Sequence, residues 1–373
     1  METKLLNGNN KEAIAEASKI LQDGGLVAFP TETVYGLGAD ALNADAAAKI
    51  YAAKGRPSDN PLIVHIADTD AVEKLADLET MNRTHPDMVK KAHMLMEAFW
   101  PGPLTIIFPK LAIVPDGTTG GLPTVAIRMP SHPIAQELIR TSGVSIAAPS
   151  ANTSGRPSPT TAQHVWEDMD GRIEMILDGG AVGIGIESTI VDMTGTIPTI
   201  LRPGFITKTM LSEIVGDVTI DPAIIEPDPN LRPKAPGMKY THYAPHGTLS
   251  IVEAVADESA NRASLHSGVK VSYNATEAET LRVAEKIKAL VNEKEAQGYK
   301  VAILTTKEHA SLYKNYSHVL IVGEGSKGQT ISARLYAALR ECDSEQMEYM
   351  YSEAFDQNEL GGAIMNRLLK AAG

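Results

Sequence analysis

A twenty-residue stretch that is dense in proline divides this sequence into two parts. Residues 220–239 read IDPAIIEPDPNLRPKAPGMK and contain five prolines. Proline fixes φ and lacks a backbone N–H, so neither a regular helix nor a central strand can run through such a segment. A segment of this length is either a linker between domains or a functional loop. The 373 residues are enough for two domains of ordinary size.

On both sides of this stretch, short apolar runs alternate with helical patterns. The runs are rich in β-branched residues and are bounded by Gly, Pro, Asn or Asp, as strands usually are. We therefore predict an α/β protein: a twisted mixed sheet with helices in residues 8–208, a proline-rich linker in residues 209–245, and a small Rossmann-like α/β domain in residues 246–373.

Charge and composition exclude several classes of protein. The formal net charge is −12 and aromatic residues make up 5% of the chain, which disfavours a surface that binds long nucleic acid. A single cysteine, Cys342, can form neither an internal disulfide nor a multi-cysteine metal site, and it fits a reducing compartment. Neither a signal peptide nor 18 consecutive apolar residues are found, so we expect a cytoplasmic protein without a membrane span.

The segment 30–38, PTETVYGLG, directly follows a predicted strand. It brings together three hydroxyl groups, one carboxylate and two glycines. Hydroxyl groups at the end of a strand can hold a small polar ligand, and glycine lets a backbone approach it closely. A plain polar loop explains the same residues equally well.

Two cations stand close together where a predicted helix ends. In KGRPSDNPLIVH, Gly55 and Pro57 end the helix, and we expect Lys54 and Arg56 to project into a loop that suits an oligophosphate. The alternative is that they only compensate the helix dipole. His65 lies in the next predicted strand, where a lone histidine is more often a packing residue than a catalyst.

A third polar segment, residues 149–159, follows the predicted strand 144–148 and reads PSANTSGRPSP. Its Ser, Asn and Thr side chains, close to the start of a helix, are compatible with a pocket for an anion or a ribose. Helix-cap chemistry alone also explains the Ser and Thr residues.

Two arginines, Arg128 in VAIRMP and Arg202 in ILRPG, interrupt apolar strands. A buried charge needs a partner, and none is evident in the neighbouring sequence. Arginine binds carboxylate or phosphate in a bidentate manner, so each is a candidate ligand-binding residue. An internal salt bridge is the alternative.

Taken together, these motifs closely resemble the YrdC-like family in its long, two-domain form. The resemblance rests on the segments PTETVYGLG, KGRPSDNPLIVHI, WPGPLT, VAIRMP, PSANTSGRPSPT, ESTIVD, ILRPG and PGMKYTHYAP. The pairs Lys54/Arg56 and Ser150/Asn152 match the signature of the family. After residue 250 the similarity is only one of fold.

The resemblance implies a specific activity. Enzymes of this family make threonylcarbamoyl-AMP and pyrophosphate from L-threonine, bicarbonate and ATP, with Mg²⁺ accompanying the ATP. A separate threonylcarbamoyl-transferase complex then modifies adenosine 37 of tRNAs that read ANN codons. Direct binding of tRNA by this chain is therefore not required.

The resemblance also implies roles for individual residues. The threonine-binding residues are Thr33, His65, Arg128, Ala148 and Ser188. The ATP-binding residues are Arg56, Asn60, Thr105, Ser150, Ser158 and Arg202. The signature residues Lys54, Arg56, Ser150 and Asn152 are assigned to catalysis. No metal ligand is assigned to a protein side chain. Because carbamate and acyl-adenylate species hydrolyse, we also hypothesise that residues 236–243 fold over the pocket as a lid and that Tyr240 touches the ligand.

Two other functions compete with this one. An RNA-binding module could use the positive cavity of a YrdC-like fold, although the net charge and the few aromatics argue against it. A carbamoyl-adenylate enzyme of the hydrogenase-maturation type carries a related domain, but the single cysteine excludes the zinc finger of that type.

Overall fold

The protein folds into two compact units. The first comprises residues 1–154 and 158–240, and the second comprises residues 155–157 and 241–373. The computed structural model describes residues 2–224, 234–236, 242–253, 276–355 and 359–373. The predicted strand at 269–273 and the lid residue Tyr240 lie outside these ranges.

In the described part of the first unit, eleven strands form one sheet. In chain order they are β1 (Lys4–Asn7), β2 (Val27–Pro30), β3 (Tyr35–Asp40), β4 (Ile63–His65), β5 (Leu104–Pro109), β6 (Thr124–Arg128), β7 (Ile146–Ala147), β8 (Met175–Asp178), β9 (Thr189–Asp192), β10 (Thr199–Arg202) and β11 (Thr219–Ile220). Their order across the sheet is β1-β8-β2-β3-β7-β4-β6-β5-β9-β10-β11. Parallel and antiparallel pairs both occur, which confirms the predicted mixed sheet.

The helices of the first unit cover this sheet. They are α1 (Lys11–Gln22), α2 (Ala44–Lys54), α3 (Leu78–Thr84), α4 (Pro86–Phe99), α5 (Asp116–Thr119), α6 (Pro133–Ser142), α7 (Ala162–Met169) and α8 (Lys208–Val215). The sequence predicts a helix over 11–22, and α1 has these bounds because the Asn10 side chain accepts from Glu12 N at its start, while its apolar face packs into the core. No helix in the described residues is long and apolar enough to cross a membrane.

Three described strands of the first unit, β1, β3 and β11, were not predicted from the sequence. We interpreted residues 30–38 as a loop, but only residues 31–34 are one, and β3 begins at Tyr35. It pairs antiparallel with β2 and with β7. Its glycines are dictated by packing, since a Cβ at Gly38 would lie 2.7 Å from side-chain atoms of Phe29 and Ile146. We expected these glycines to let the backbone approach a ligand, but in the structure Gly38 allows close packing between strands.

The second unit is a small parallel sheet with helices on it. Its strands are β12 (Thr248–Val252), β13 (Val301–Thr306), β14 (Val319–Gly323) and β15 (Tyr349–Glu353), in the order β12-β15-β13-β14. Its helices are α9 (Glu277–Ala296), α10 (Gly328–Ser344) and α11 (Leu360–Ala372). All described strand pairs are parallel, which confirms the Rossmann-like α/β prediction. Strand β15 was not predicted.

Candidate active site

Several candidate residues form a row across the middle of the large sheet. The strand register pairs His65 with Arg128, Arg128 with Thr105, Thr105 with Ile190, and Ile190 with Arg202. Directly paired residues on neighbouring strands face the same side of a sheet, and the strands lie about 4.8 Å apart. The row therefore presents two arginines, one histidine and one threonine on one face.

Arg128 makes the internal ion pair that we left open as an alternative. Its Nη2 lies 2.5 Å from Oε1 of Glu32, and the two side chains are only 4% and 14% exposed. Its Nε donates to the carbonyl of Gly102 at 3.3 Å. The other oxygen of Glu32 accepts from Ser131 N at 3.0 Å. Burial raises the pKa of Glu32, but Arg128 and these backbone hydrogen bonds outweigh it and hold the pKa below its usual range.

His65 is a buried, neutral histidine. Burial, reinforced by the charge of Arg128, lowers its pKa to about 3. Its Nδ1 lies 3.1 Å from the carbonyl oxygen of Ile63, and its ring meets the edge of Phe29. The imidazole is therefore a neutral hydrogen-bonding group at neutral pH.

Ser188 lies between the two ends of the row. Its hydroxyl is 2.8 Å from Thr105 Oγ1. Arg202 donates from Nε and Nη2 to the carbonyl of Ser188, at 3.1 and 3.0 Å, and from Nη2 to its hydroxyl at 3.1 Å. These contacts fix the guanidinium of Arg202 against the start of β9.

Lys54 turns inward, so the expectation that both cations project into a loop is wrong for this residue. It is 3% exposed, and its Nζ donates to the carbonyls of Ser150 and Asn152. The segment 149–153 lies along β3, where Ser150 bridges to Gly36. Gly55 ends α2 in the left-handed region, and the long lysine side chain then reaches the neighbouring segment. The Lys54 and Ser150/Asn152 motifs are thus joined directly.

Arg56 and Asn60 belong to the turn after α2. Arg56 donates from Nη2 to the carbonyls of Asn60 and Pro61, at 3.4 and 3.3 Å. Asn60 is 1% exposed, and its Oδ1 has no hydrogen-bond partner among the described residues. This turn thus combines a half-buried cation with a buried amide.

The remaining candidates lie on segments that meet beside the row. Ser158 Oγ donates to Glu187 Oε1 at 2.6 Å, which ties its segment to the residue before Ser188. The carbonyl of Thr33 accepts from Gly185 N at 3.0 Å. The backbone N–H of Ala148 donates to the carbonyl of Ile63, two residues before His65.

A described part of the linker lies on the same face of the sheet. Ala235 is fully buried in an apolar cluster with Ile63, Ile107, Ala126, Ile190 and Leu201. The carbonyl of Pro236 accepts from Nη1 of Arg202 at 3.4 Å. The predicted lid segment therefore begins at a point where the chain touches the row.

Sequence reasoning missed two carboxylates among these residues. Glu32 pairs with Arg128 and Glu187 binds Ser158, but neither was assigned to the site. One signal could have identified Glu32. Arg128 has no evident partner in the neighbouring sequence, and Glu32, which stands between two threonines, is complementary to it in charge although the two are far apart in the chain. Among the described residues, no three His, Cys, Asp or Glu side chains are grouped so that they could hold a metal ion.

Two family models match the chain, one in each half. Residues 19–204 match the Sua5_yciO_yrdC family, described as "Telomere recombination". Residues 206–373 match Sua5_C, described as "Threonylcarbamoyl-AMP synthase, C-terminal domain".

Curated relatives are similar over nearly the full length. A threonylcarbamoyl-AMP synthase of Bacillus subtilis is 46% identical over 98% of this chain and 94% of its own. One of Pyrococcus abyssi is 41% identical over 98% and 97%. A crystal structure of P. abyssi Sua5 complexed with L-threonine is similar with a TM-score of 0.84 and 40% identity, covering 100% of this chain and 98% of the other.

Proposed function

This chain belongs to the two-domain threonylcarbamoyl-AMP synthase family, and on that basis we propose that it makes threonylcarbamoyl-AMP from L-threonine, bicarbonate and ATP, releasing pyrophosphate. The observation that carries the proposal is the similarity to relatives of that name over nearly the whole chain, in both units. The two arginines of the row, Arg128 and Arg202, support it, because both substrates that must meet carry negative charge.

Threonine would bind at the end of the row that contains Arg128. Arginine is the residue best suited to a carboxylate, and Arg128 keeps Nη1 without a partner among the described residues. His65 is neutral and adds no charge to this subsite. We place the side chain of the substrate towards Ala148, and its polar groups towards Thr33 and Ser188.

ATP would lie along the other candidates, which are Arg56, Asn60, Thr105, Ser150, Ser158 and Arg202. The buried Oδ1 of Asn60 is an acceptor suited to an amino or hydroxyl group of the nucleotide. Lys54 would act here by holding the segment at Ser150, since its Nζ donates to the carbonyls of Ser150 and Asn152, and Asn152 lies within that segment. Mg²⁺, when bound with the nucleotide, would supply charge neutralisation at the phosphates, and we propose that it is held mainly by phosphate and water.

The chemistry proposed for this site needs no covalent protein nucleophile. The ammonium group of bound threonine first loses a proton, and the amine attacks the carbon of bicarbonate, from which water leaves. An oxygen of the resulting carbamate then attacks the α-phosphorus of ATP, and pyrophosphate leaves. Repulsion between these anions is the main barrier that the arginines lower. Correct orientation of the reactants can contribute about 7–11 kcal/mol.

The product would be consumed by a second enzyme. An acyl-adenylate hydrolyses in water, so a lid over the pocket is useful. We assign this role to residues 236–243 with Tyr240, and the burial of Ala235 beside the row supports it. A downstream transferase complex would then move the threonylcarbamoyl group to adenosine 37 of tRNAs that read ANN codons.

Pyrophosphate release tests the proposal. The full chain is incubated with ATP, Mg²⁺ and bicarbonate, with threonine present or omitted. We expect release only with threonine. Arg56→Ala should abolish it, and Arg128→Ala should mainly raise the KM for threonine. Arg83→Ala is the matched control, since Arg83 lies on α3 and donates to Thr80, and it should leave release unchanged. Release without threonine would overturn the proposal.

A further inference from the structure

The Arg128–Glu32 pair gives the proposed threonine subsite an unusual charge balance. One positive and one negative side chain lie in contact and are both largely buried. Their formal charges cancel, so the pair offers little net attraction to a lone anion or a lone cation. It is, however, a fixed dipole with a positive and a negative end.

Each end of this dipole keeps unused hydrogen-bonding capacity. Arg128 uses Nε for Gly102 and Nη2 for Glu32, which leaves Nη1 without a partner among the described residues. Each carboxylate oxygen of Glu32 accepts one hydrogen bond, from Arg128 and from Ser131 N. An ionised carboxylate has about four lone-pair sites, so Glu32 can accept two more.

The position of Glu32 is fixed by the backbone. The carbonyl of Glu32 accepts from Ile184 N at 2.9 Å, and the next carbonyl, that of Thr33, accepts from Gly185 N. The Thr31 hydroxyl closes the turn by donating to Val34 O at 2.7 Å. A carboxylate held in this way is preorganised and needs no rearrangement to meet a ligand.

We propose that Glu32 is a specificity-determining residue that selects an α-amino acid as its zwitterion, by binding the ammonium group while Arg128 binds the carboxylate. The proposal rests on the proposed function and names a residue that the family resemblance left unassigned. A ligand with both charges satisfies both ends of the pair. A ligand with a carboxylate alone brings a second negative charge next to Glu32 and leaves that residue unpaired.

The inference predicts a selectivity that simple carboxylate recognition does not. Sites built to pair with a polar group reject analogues that lack it far more strongly than apolar pockets reject a missing methylene. We therefore expect threonine to bind at least about tenfold more tightly than 2,3-dihydroxybutanoate, in which a hydroxyl replaces the amino group. We expect the same margin over 1-amino-2-propanol, which lacks the carboxylate.

Calorimetric titration of the full chain tests this directly. The three compounds are titrated in the presence of Mg²⁺ and α,β-methylene-ATP. A margin of tenfold or more over both analogues supports the proposal, and a smaller margin over either one overturns it. This arm uses the unaltered protein, so it decides the question even if a variant fails to fold.

A charge-removing variant provides the second arm. Glu32→Gln keeps a similar shape and one acceptor, but it loses the negative charge. The preference for threonine over 2,3-dihydroxybutanoate should then fall by at least about tenfold. Glu16→Gln is the matched control, because Glu16 forms an exposed ion pair with Lys4, and it should keep the preference. A folded Glu32→Gln protein that keeps the full preference overturns the proposal.

The outcomes separate this inference from the proposed function. If the unaltered chain neither binds threonine nor releases pyrophosphate with it, the function itself is wrong. If it does both while the selectivity stays low or does not depend on Glu32, the function stands and the role of Glu32 is wrong.

Discussion

The buried His65 should make the first unit lose stability in mild acid. Its pKa is lowered to about 3 in the folded protein, whereas an unfolded histidine titrates near pH 6.5. Above pH 6.5 both states are neutral and the group contributes nothing. Below it the unfolded state takes up a proton and the folded state does not, so the free energy of unfolding falls as the pH drops towards 3.

The size of this loss follows from the shift. One pKa unit corresponds to 1.36 kcal/mol. A pH of 4.5 is about two units below the pKa of the histidine in the unfolded chain. The free energy of unfolding should therefore be about 3 kcal/mol lower at pH 4.5 than at pH 7.5. That is a large part of the about 5–15 kcal/mol that stabilises an ordinary protein.

Fluorescence-detected urea unfolding can measure the effect. The only two tryptophans of the chain, Trp100 and Trp166, both lie in the first unit, so the signal reports on that unit. The unaltered protein is compared with His65→Gln, which cannot be protonated, at pH 7.5, 6, 5 and 4.5. The stability advantage of the unaltered protein should shrink by about 3 kcal/mol over this range.

Other groups titrate over the same range, and the comparison removes most of their contribution. Glu32 and the surface carboxylates are present in both proteins, so their pH dependence largely cancels in the difference. A difference that stays constant from pH 7.5 to 4.5 would mean that His65 is protonated as readily in the folded state as in the unfolded one. The burial argument for this residue would then fail.

Three further perturbations probe other parts of the structure. Lys54→Met removes the ammonium that binds the segment at Ser150, and it should lower the free energy of unfolding by roughly 2–3 kcal/mol in urea titrations and abolish pyrophosphate release. Gly204→Ala places a Cβ 2.5 Å from the backbone N of Thr189 and should cost about 1–3 kcal/mol, whereas Gly183→Ala meets nothing within 4 Å and should be neutral by the same titration. Cys342 is buried with its pKa raised to about 12, so Ellman's reagent should label it at pH 8 only after unfolding, and rapid labelling of the native protein would contradict its burial.

Helices and strands were both predicted in part: strands β9 and β10 lie where the sequence predicts them, at 189–192 and 199–202, whereas helices α3, α5 and α8 were not predicted. Helices α1 and α7 have the bounds that the sequence predicts, 11–22 and 162–169, because a cap and an apolar face are both local signals. Strand β15 was missed, since its burial comes from β12 and β13, which pair with it from distant parts of the chain. A strand of this kind has no local signal to separate it from the polar residues that surround it.

The candidate site was predictable in its parts but not in its connections. Arg128 and Lys54 could be singled out because a charge within or beside an apolar element demands an explanation. Their partners could not be found. Glu32 lies 96 residues from Arg128, and the carbonyl of Ser150 lies 96 residues from Lys54. Pairing at such separations is decided by the order of the strands, and a single sequence does not display that order.

The order of the strands also constrains how this protein can be synthesised and folded. Strand β8 inserts between β1 and β2, and β7 inserts between β3 and β4. A nascent chain that ends before residue 146 therefore has gaps where later strands belong, and its early strands expose unpaired edges that attract other chains. These gaps close only after β8 has left the ribosome, and until then the growing polypeptide is exposed to aggregation.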